Sequence, residues 1–132
     1  NYSQSNMKKV INSKNAPDPV GPYNQAILVD GTLYLSGQIA LDPKTMEMDN
    51  SSIEIETIRV LNNINSVLEE ANFSFNDIIK TTIFLTSMED FTVVNEIYGK
   101  WFDKESAPAR ETVEVSGLPK NARIEISVIA KK

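Results

Sequence analysis

The sequence predicts an α+β fold in which two helices cover one face of a mixed sheet. The inferred element order is β-β-β-α-β-α-β-β, two segments repeat apolar residues at helical spacing, and the other apolar segments are rich in β-branched residues. The 132 residues are about the length of one ordinary domain. We expect residues 7–132 to form a single domain, preceded by an added polar leader at residues 1–6.

The first part of the chain predicts three strands and a rigid loop. Residues 8–12 are a short β-like start, and residues 15–22 hold three prolines and one glycine, which forbid regular structure there. Two apolar runs, residues 25–29 and 33–36, flank the segment Asp30-Gly31-Thr32. An Asp-Gly pair between such runs is typical of a tight turn, so a β-hairpin is predicted.

A long helix is predicted over residues 52–71. Ser51, with Glu54 three residues later, matches a capping box at its start. The apolar positions that keep the helical period are Ile58, Leu61, Ile64, Val67, Leu68 and Ala71. The polar face is expected to contain Glu56, Arg59, Asn62, Asn63 and Glu70.

The second half predicts three strands and a shorter helix. Residues 77–86 form a strand whose inner face carries Ile79, Thr81, Ile83 and Leu85, with Lys80 and Thr82 on the wetter face. Ser87 and Asp90 open a helix that ends near Asp103, and residues 109–115 and 122–130 are strands. The last strand is apolar on both faces, so either other subunits or loops of the same chain must cover the sheet face without helices.

Composition excludes several kinds of chemistry. The chain has no Cys and no His, which removes disulfides, thiolate chemistry and imidazole catalysis. Its net charge of −5 and pI of about 4.7 disfavour a nucleic-acid partner. No apolar run is long enough to span a membrane and no secretory signal is visible, so a cytoplasmic protein is expected.

Two charged residues are candidates for a site. Arg110 begins a strand after a proline, where a guanidinium can hold a carboxylate with two parallel hydrogen bonds. The alternative is a surface ion pair, with Glu114 as the partner. Glu125 lies between two isoleucines, where partial burial raises the pKa of a carboxyl and makes it a better general base. The alternative for Glu125 is a solvent-facing position on an edge strand.

Other candidates carry weaker signals. Tyr23 follows the proline-rich loop and can close a small pocket or anchor the loop on the core. Ser36 and Gly37 lie at a strand end, where free backbone N–H groups suit an anion and a β-bulge explains the glycine equally well. Asn95 lies beside the apolar stripe of the second helix, where an asparagine is more often a tolerated surface residue. Standard nucleotide-binding, hydrolase and metal motifs are absent from the sequence.

Several motifs resemble the RidA (YjgF) family in order and spacing. They are Gly21-Pro22-Tyr23, Leu35-Ser36-Gly37-Gln38-Ile39, residues 77–85, residues 95–98, residues 108–115, and Leu118-Pro119-Lys120 through Ile124-Glu125-Ile126. The resemblance covers nearly all of residues 7–130. It implies a chorismate-mutase-like fold and a homotrimer whose sheets form a central barrel, with three clefts between neighbouring subunits.

The resemblance also implies an activity: hydrolysis of 2-iminobutanoate and 2-iminopropanoate to 2-oxo acids and ammonia, with no metal and no cofactor. Arg110 would bind the substrate carboxylate, Glu125 would activate water, and Tyr23, Ser36, Gly37 and Asn95 would line the cleft. Many relatives have Cys where this chain has Thr112, so a hydroxyl or backbone carbonyl would serve there. The alternatives are a non-catalytic module that binds small carboxylates and, less compatible with the acidic pI, an RNA-cleaving protein.

Overall fold

The computed structural model describes residues 7–132, so the leader predicted at residues 1–6 lies outside the described residues. Within that range the strands are β1 (Lys9–Ile11), β2 (Ala26–Val29), β3 (Thr32–Gln38), β4 (Ile78–Leu85), β5 (Ala109–Glu114) and β6 (Ile124–Lys131). The α-helices are α1 (Ile53–Glu70) and α2 (Phe91–Gly99), with short 3₁₀ turns at Phe75–Asp77, Met88–Asp90 and Pro119–Asn121. The predicted element order and the α+β class are confirmed.

The six strands form one mixed sheet in the order β1-β2-β3-β6-β4-β5. Neighbouring strands are antiparallel except for β4 and β5, which run parallel and are joined through α2. The last strand of the chain, β6, is therefore central, and β5 lies at the sheet edge. These two strands carry Glu125 and Arg110.

The predicted hairpin is confirmed. Val29 pairs with Thr32, which leaves Asp30 and Gly31 as a two-residue turn. Their φ angles are 50° and 77°, as in a type I′ turn that matches the twist of the flanking strands. Gly31 is required on two counts, because a Cβ atom there would also lie 2.8 Å from the carbonyl oxygen of Lys132.

Helix α1 begins one residue later than the predicted capping box requires. Ser52, in extended conformation, is the N-cap, and its hydroxyl accepts a hydrogen bond from the backbone N–H of Ile55 at 3.1 Å. The capping box proposed for Ser51 and Glu54 is therefore wrong by one position. The two serines are equivalent as local capping signals, and only the backbone geometry distinguishes them.

The predicted polar face of α1 is wrong at two positions. Glu56 and Asn63 are completely buried, whereas Ile58, assigned to the apolar stripe, is 43% exposed. Glu56 accepts a hydrogen bond from the backbone N–H of Arg123 at 2.8 Å, and Asn63 donates to the carbonyl oxygen of Leu41 at 2.9 Å. Both polar side chains tie the helix to distant loops, and these hydrogen bonds offset the cost of burying Glu56 and the amide nitrogen of Asn63, whereas Oδ1 of Asn63 has no partner among the described residues.

The core lies between the helices and the inner face of the sheet. Its fully buried large side chains include Leu33, Leu61, Ile64, Leu68, Ile83, Leu85, Ile124 and Ile126, each of which contributes about 1.5–3 kcal/mol. Thr81, Ile83 and Leu85 face inward as predicted, but Ile79 is 50% exposed. A register shift between Ile78 and Lys80 turns Ile79 outward and buries Ile78 instead.

Helix α2 ends at Gly99, four residues before the predicted end near Asp103. The apolar stripe continues beyond the helix, because Trp101 and Phe102 pack on the ring of Phe75 at centroid distances of 5.0 and 5.3 Å. Trp101 and Phe102 keep the apolar spacing of a helix although their backbone is irregular, and this spacing made the predicted helix too long. Among residues 7–132, neither helix is both long and apolar enough to cross a membrane.

The helices cover one face of the sheet and leave the other open. On the open face Val10, Ile27, Tyr34 and Ile129 form a row across β1, β2, β3 and β6. Val10 is 48% exposed and Tyr34 47% exposed. Loops of the described chain therefore do not cover this apolar row, which favours the first of the two explanations that the sequence left open.

Candidate active site

A cavity of about 330 Å³ lies beside the proline-rich loop, near the end of β3 and the beginning of β6. Its lining includes three of the predicted site residues, Tyr23, Gly37 and Glu125. Apolar walls come from Pro17, Val20, Ile39, Leu41 and Pro119. A mostly apolar cleft with a few polar groups is the usual form of a small-molecule site.

Glu125 supplies one of the two carboxylates that line this cleft, the other being Asp18 of the proline-rich loop. It lies in β6 opposite Phe84 of β4, and because its neighbours Ile124 and Ile126 point into the core, its side chain points to the open face. Burial raises the pKa of the Glu125 carboxyl above its ordinary value. The ion pairs among residues 7–132 are Lys80–Glu111 and Arg123–Glu56, so no cation of the described chain lowers that pKa through an ion pair.

Gly37 is the glycine on which Glu125 packs. A Cβ atom at position 37 would lie 2.8 Å from Cδ and 3.0 Å from Cγ of Glu125, and closer still to Oε2. The register of β3 against β6 shifts between Leu35 and Gln38, so Gly37 lies in a β-bulge. The bulge and the missing side chain together make room for the carboxylate.

Ser36 does not offer the free N–H that the sequence suggested. Its backbone N–H donates to the carbonyl oxygen of Gln25 at 2.9 Å, and its hydroxyl donates to the carbonyl oxygen of Asn24 at 2.6 Å. Ser36 also does not line the cavity. Its polar groups fix the bulge that presents Gly37.

Gln25 is a site residue that sequence reasoning missed. Its side chain is 1% exposed, and its Nε2 donates to the carbonyl oxygens of Ser13 at 3.0 Å and Pro17 at 2.9 Å. Its Oε1 accepts from the backbone N–H of Ser13. These bonds hold the proline-rich loop against the sheet, and the loop leads to Tyr23, which is half exposed at the cavity. The available signal was a glutamine three residues after the last proline of the loop, at the start of an apolar strand.

Arg110 belongs to a different environment. In β5 it lies opposite Thr81 of β4, whose hydroxyl forms a 2.8 Å hydrogen bond with Tyr98 of α2. The Nη1 of Arg110 donates to Oδ1 of Asn95 at 2.8 Å, and its guanidinium carbon lies 4.9 Å from the centre of the Tyr98 ring. The predicted alternative, an ion pair with Glu114, does not form, because the Glu114 carboxylate accepts from the backbone N–H of Met88.

Arg110 and Glu125 lie on opposite faces of one sheet. In the strand register, Arg110 of β5 pairs with Thr81 of β4, which faces the helices. Glu125 of β6 pairs with Phe84 of β4, which faces away from them. Residues an odd number apart in a strand point to opposite faces. One chain therefore holds the arginine with Asn95 in one place and the glutamate with Gly37 and Tyr23 in another.

Thr112 lies on the same face as Arg110, two residues further along β5. Its hydroxyl is buried, and within the described residues it has no hydrogen-bond partner. An unsatisfied buried hydroxyl costs free energy, so this group is available to a ligand or to a neighbouring chain.

A family model described as endoribonuclease L-PSP matches residues 13–132, a range that includes every predicted site residue. The chain belongs to this family, the RidA (YjgF) family. Among curated relatives, a RutC family protein of Synechocystis is 50% identical over 123 residues, which are 92% of this chain and 95% of the relative. A RutC family protein of Pyrococcus horikoshii is 51% identical over 126 residues, covering 96% of this chain and 99% of the relative.

Solved structures confirm the predicted YjgF-like fold. The Rid family protein YyfA of Yersinia pestis superposes with a TM-score of 0.92 at 48% identity, covering 96% of this chain and 100% of YyfA. TdcF of E. coli, solved with bound serine, gives a TM-score of 0.88 at 36% identity, covering 94% of this chain and 98% of TdcF. The RidA resemblance inferred from the sequence motifs is therefore confirmed.

Proposed function

We propose that this RidA-family chain hydrolyses 2-imino acids, with 2-iminobutanoate and 2-iminopropanoate as substrates, to 2-oxo acids and ammonia. The observation that carries the proposal is the half-buried Glu125 carboxylate, which packs on Gly37 at the wall of a small cleft. Its raised pKa suits a general base for water, because a base works best when its pKa lies nearer the working pH.

The reaction requires few catalytic groups. The carbon of a C=N bond is already electrophilic, so water adds to it while Glu125 accepts a proton from that water. The nitrogen is protonated, the C–N bond breaks, and ammonia leaves as the carbonyl of the 2-oxo acid forms. Neither His nor Cys is needed, which agrees with the composition.

Arg110 is proposed to bind the substrate carboxylate. Its guanidinium is held by Asn95 and by the Tyr98 ring, so it is oriented before the ligand arrives. Two parallel hydrogen bonds to a carboxylate would fix the position of the imine carbon. The serine bound in the structure of TdcF, a small amino acid with a carboxylate, supports a ligand of this class.

The active unit is proposed to be a homotrimer whose sheets form a central barrel with three intersubunit clefts. A homotrimer is typical of the family. The opposite placement of Arg110 and Glu125 supports it, because a second chain would be needed to bring Arg110 to the glutamate cleft. The apolar row on the open face, which includes Val10 and Tyr34, is the surface that assembly would bury.

A non-catalytic module that binds small carboxylates is the second candidate, since a carboxylate anchor would serve binding as well as turnover. The two are separated by measuring the decay of 2-iminobutanoate, generated in place by a threonine dehydratase, with wild type and with Arg110→Ala. We expect wild type to accelerate the decay and Arg110→Ala to lose roughly 2–5 kcal/mol of that effect. No acceleration by folded wild-type protein would favour the binding module.

A further inference from the structure

Tyr98 makes the closest aromatic contact with the Arg110 guanidinium. The guanidinium carbon is 4.9 Å from the centre of the Tyr98 ring and 5.9 Å from that of Phe91. Tyr98 is itself only 5% exposed, and Phe102 packs on it at a centroid distance of 4.6 Å. Its ring is therefore fixed from behind while it contacts the arginine.

The phenol oxygen of Tyr98 is occupied by the protein. It forms a 2.8 Å hydrogen bond with the hydroxyl of Thr81, inside the core between α2 and the sheet. Burial raises the pKa of the Tyr98 phenol, with Thr81 and Arg110 acting in the opposite direction, so the phenol remains neutral. A neutral, hydrogen-bonded phenol in the core does not reach a ligand in a cleft.

Asn95 and Tyr98 hold two different parts of the same guanidinium. They are three residues apart in α2 and so lie on one side of the helix. Asn95 accepts a hydrogen bond from one nitrogen, Nη1, and the Tyr98 ring attracts the cation through its electron-rich face. The hydrogen bond to Asn95 fixes the rotation of the guanidinium plane, and the contact with the Tyr98 ring fixes the position of that plane.

We propose that Tyr98 is a positioning residue, whose ring holds the Arg110 guanidinium so that the N–H groups with no partner among residues 7–132 receive the substrate carboxylate. The inference rests on the proposed function, in which Arg110 is the carboxylate anchor. Tyr98 acts on the ligand through Arg110 alone. An arginine that is ordered in advance loses less conformational entropy on binding, so the ring contributes to affinity without touching the substrate.

The test is a double-mutant cycle read by the affinity for 2-oxobutanoate and by kcat/KM for 2-iminobutanoate. Tyr98→Leu is expected to weaken both by about tenfold. Tyr98→Phe, which keeps the ring and loses only the bond to Thr81, is expected to remain within about twofold. Phe75→Leu is the matched control, because it removes a ring of the same aromatic cluster that packs on Trp101 and Phe102.

The decisive comparison uses the Arg110→Ala background. The Tyr98→Leu effect should disappear there, and an equal loss with and without Arg110 would show a purely structural role and overturn the inference. If Arg110→Ala alone changes neither readout, Arg110 is not the carboxylate anchor, and the inference about Tyr98 fails with it. The proposed function itself fails only if folded wild type does not accelerate the decay of 2-iminobutanoate. If Arg110→Ala acts as expected and Tyr98→Leu changes nothing, only the inference fails.

A second series keeps the inference testable if Tyr98→Leu does not fold. Replacing Tyr98 by phenylalanine and then by phenylalanines with increasing ring fluorination preserves shape while it weakens the negative face of the ring. Affinity for 2-oxobutanoate should fall stepwise with fluorination. A constant affinity across the series would overturn the proposed role.

Discussion

Gly37 and Glu125 are in direct contact between strands β3 and β6, and a Cβ atom at position 37 would lie 2.8 Å from the carboxyl carbon of Glu125. The glutamate can keep its position only while residue 37 lacks a side chain. The glycine is thus required by the neighbouring side chain, since its own φ is outside the positive region.

Gly37→Ala should displace the carboxylate and reduce kcat for 2-iminobutanoate by roughly 100-fold, the scale expected when a reacting group moves by about 1 Å. The chain should still fold, because alanine suits the backbone conformation at position 37. Gly117→Ala is the matched control, since a Cβ atom there meets nothing within 4 Å. Rates are measured at equal folded concentration, and unchanged activity of Gly37→Ala would show that the carboxylate position does not matter.

The pH dependence of turnover follows from the raised pKa of the Glu125 carboxyl. A general base must be ionised, so kcat should fall as pH decreases through that raised pKa, which lies above the ordinary 4.5. Glu125→Gln should lower kcat by about 10² to 10⁴-fold and remove this acidic limb. Stopped-flow rates across the acidic range test this, and the same limb in Glu125→Gln would assign it to another group.

The contribution of Glu125 to the free energy of unfolding should fall as pH rises, which is opposite to the expected change in kcat. Burial favours the protonated Glu125 carboxyl in the folded protein, so its contribution to the free energy of unfolding is greatest below the unfolded pKa of about 4.5. That contribution is lost as pH rises through the higher folded pKa. At neutral pH, and at chain concentrations below assembly, where no second chain brings Arg110 to the cleft, Glu125→Gln should therefore be at least as stable as wild type in urea unfolding. A clearly less stable variant would mean that the ionised carboxylate has a favourable partner.

Asn95→Asp tests the orientation of Arg110. The new carboxylate would lie where Oδ1 of Asn95 now accepts the 2.8 Å hydrogen bond, and it would compete with the substrate for the guanidinium. Since charge-assisted bonds are about twice as strong as neutral ones, KM should rise roughly tenfold. Glu96→Gln, a charge change on the adjacent exposed residue, is the control. Equal KM values for wild type and Asn95→Asp would argue against a carboxylate anchor at Arg110.

Tyr34→Lys tests the open face as the assembly surface. Tyr34 is half exposed in one chain, so the lysine should be tolerated there, but an unpaired charge buried between chains costs several kcal/mol. We expect a lower mass by light scattering and a loss of imine hydrolysis. Ile58→Lys alters a similarly exposed isoleucine on α1 and should keep the mass of wild type. If Tyr34→Lys keeps the mass of wild type, the open face is not the surface through which the chains assemble.

Local patterns predicted the elements well because the signals lie in adjacent residues. The Asp30-Gly31 turn is an example, since its backbone requirement is met by those two residues alone. The inner face of β4 was predicted correctly from Thr81 onward, but Ile79 was placed on the wrong face. A bulge depends on the partner strand, so alternation within one strand cannot reveal it.

Contacts between residues far apart in the sequence account for the remaining differences between the predicted and the observed structure. Glu56 was predicted to face solvent, and only the fold brings the backbone N–H of Arg123 to its carboxylate. The contact between Gly37 and Glu125 has the same origin, because it depends on the register of β3 against β6. The candidate site residues were found from their types and motifs, but their division between two faces required the sheet order.

If the proposed function is right, that division makes the rate per chain depend on protein concentration. Under the proposed function, a solitary chain carries Arg110 on one face and Glu125 on the other, so it holds two incomplete halves. Turnover per chain would then depend on enzyme concentration and fall on dilution below the dissociation constant of the assembly, whereas a site within one chain gives the same specific activity at every dilution. Subunit dissociation would then act as reversible inactivation in which no chain unfolds.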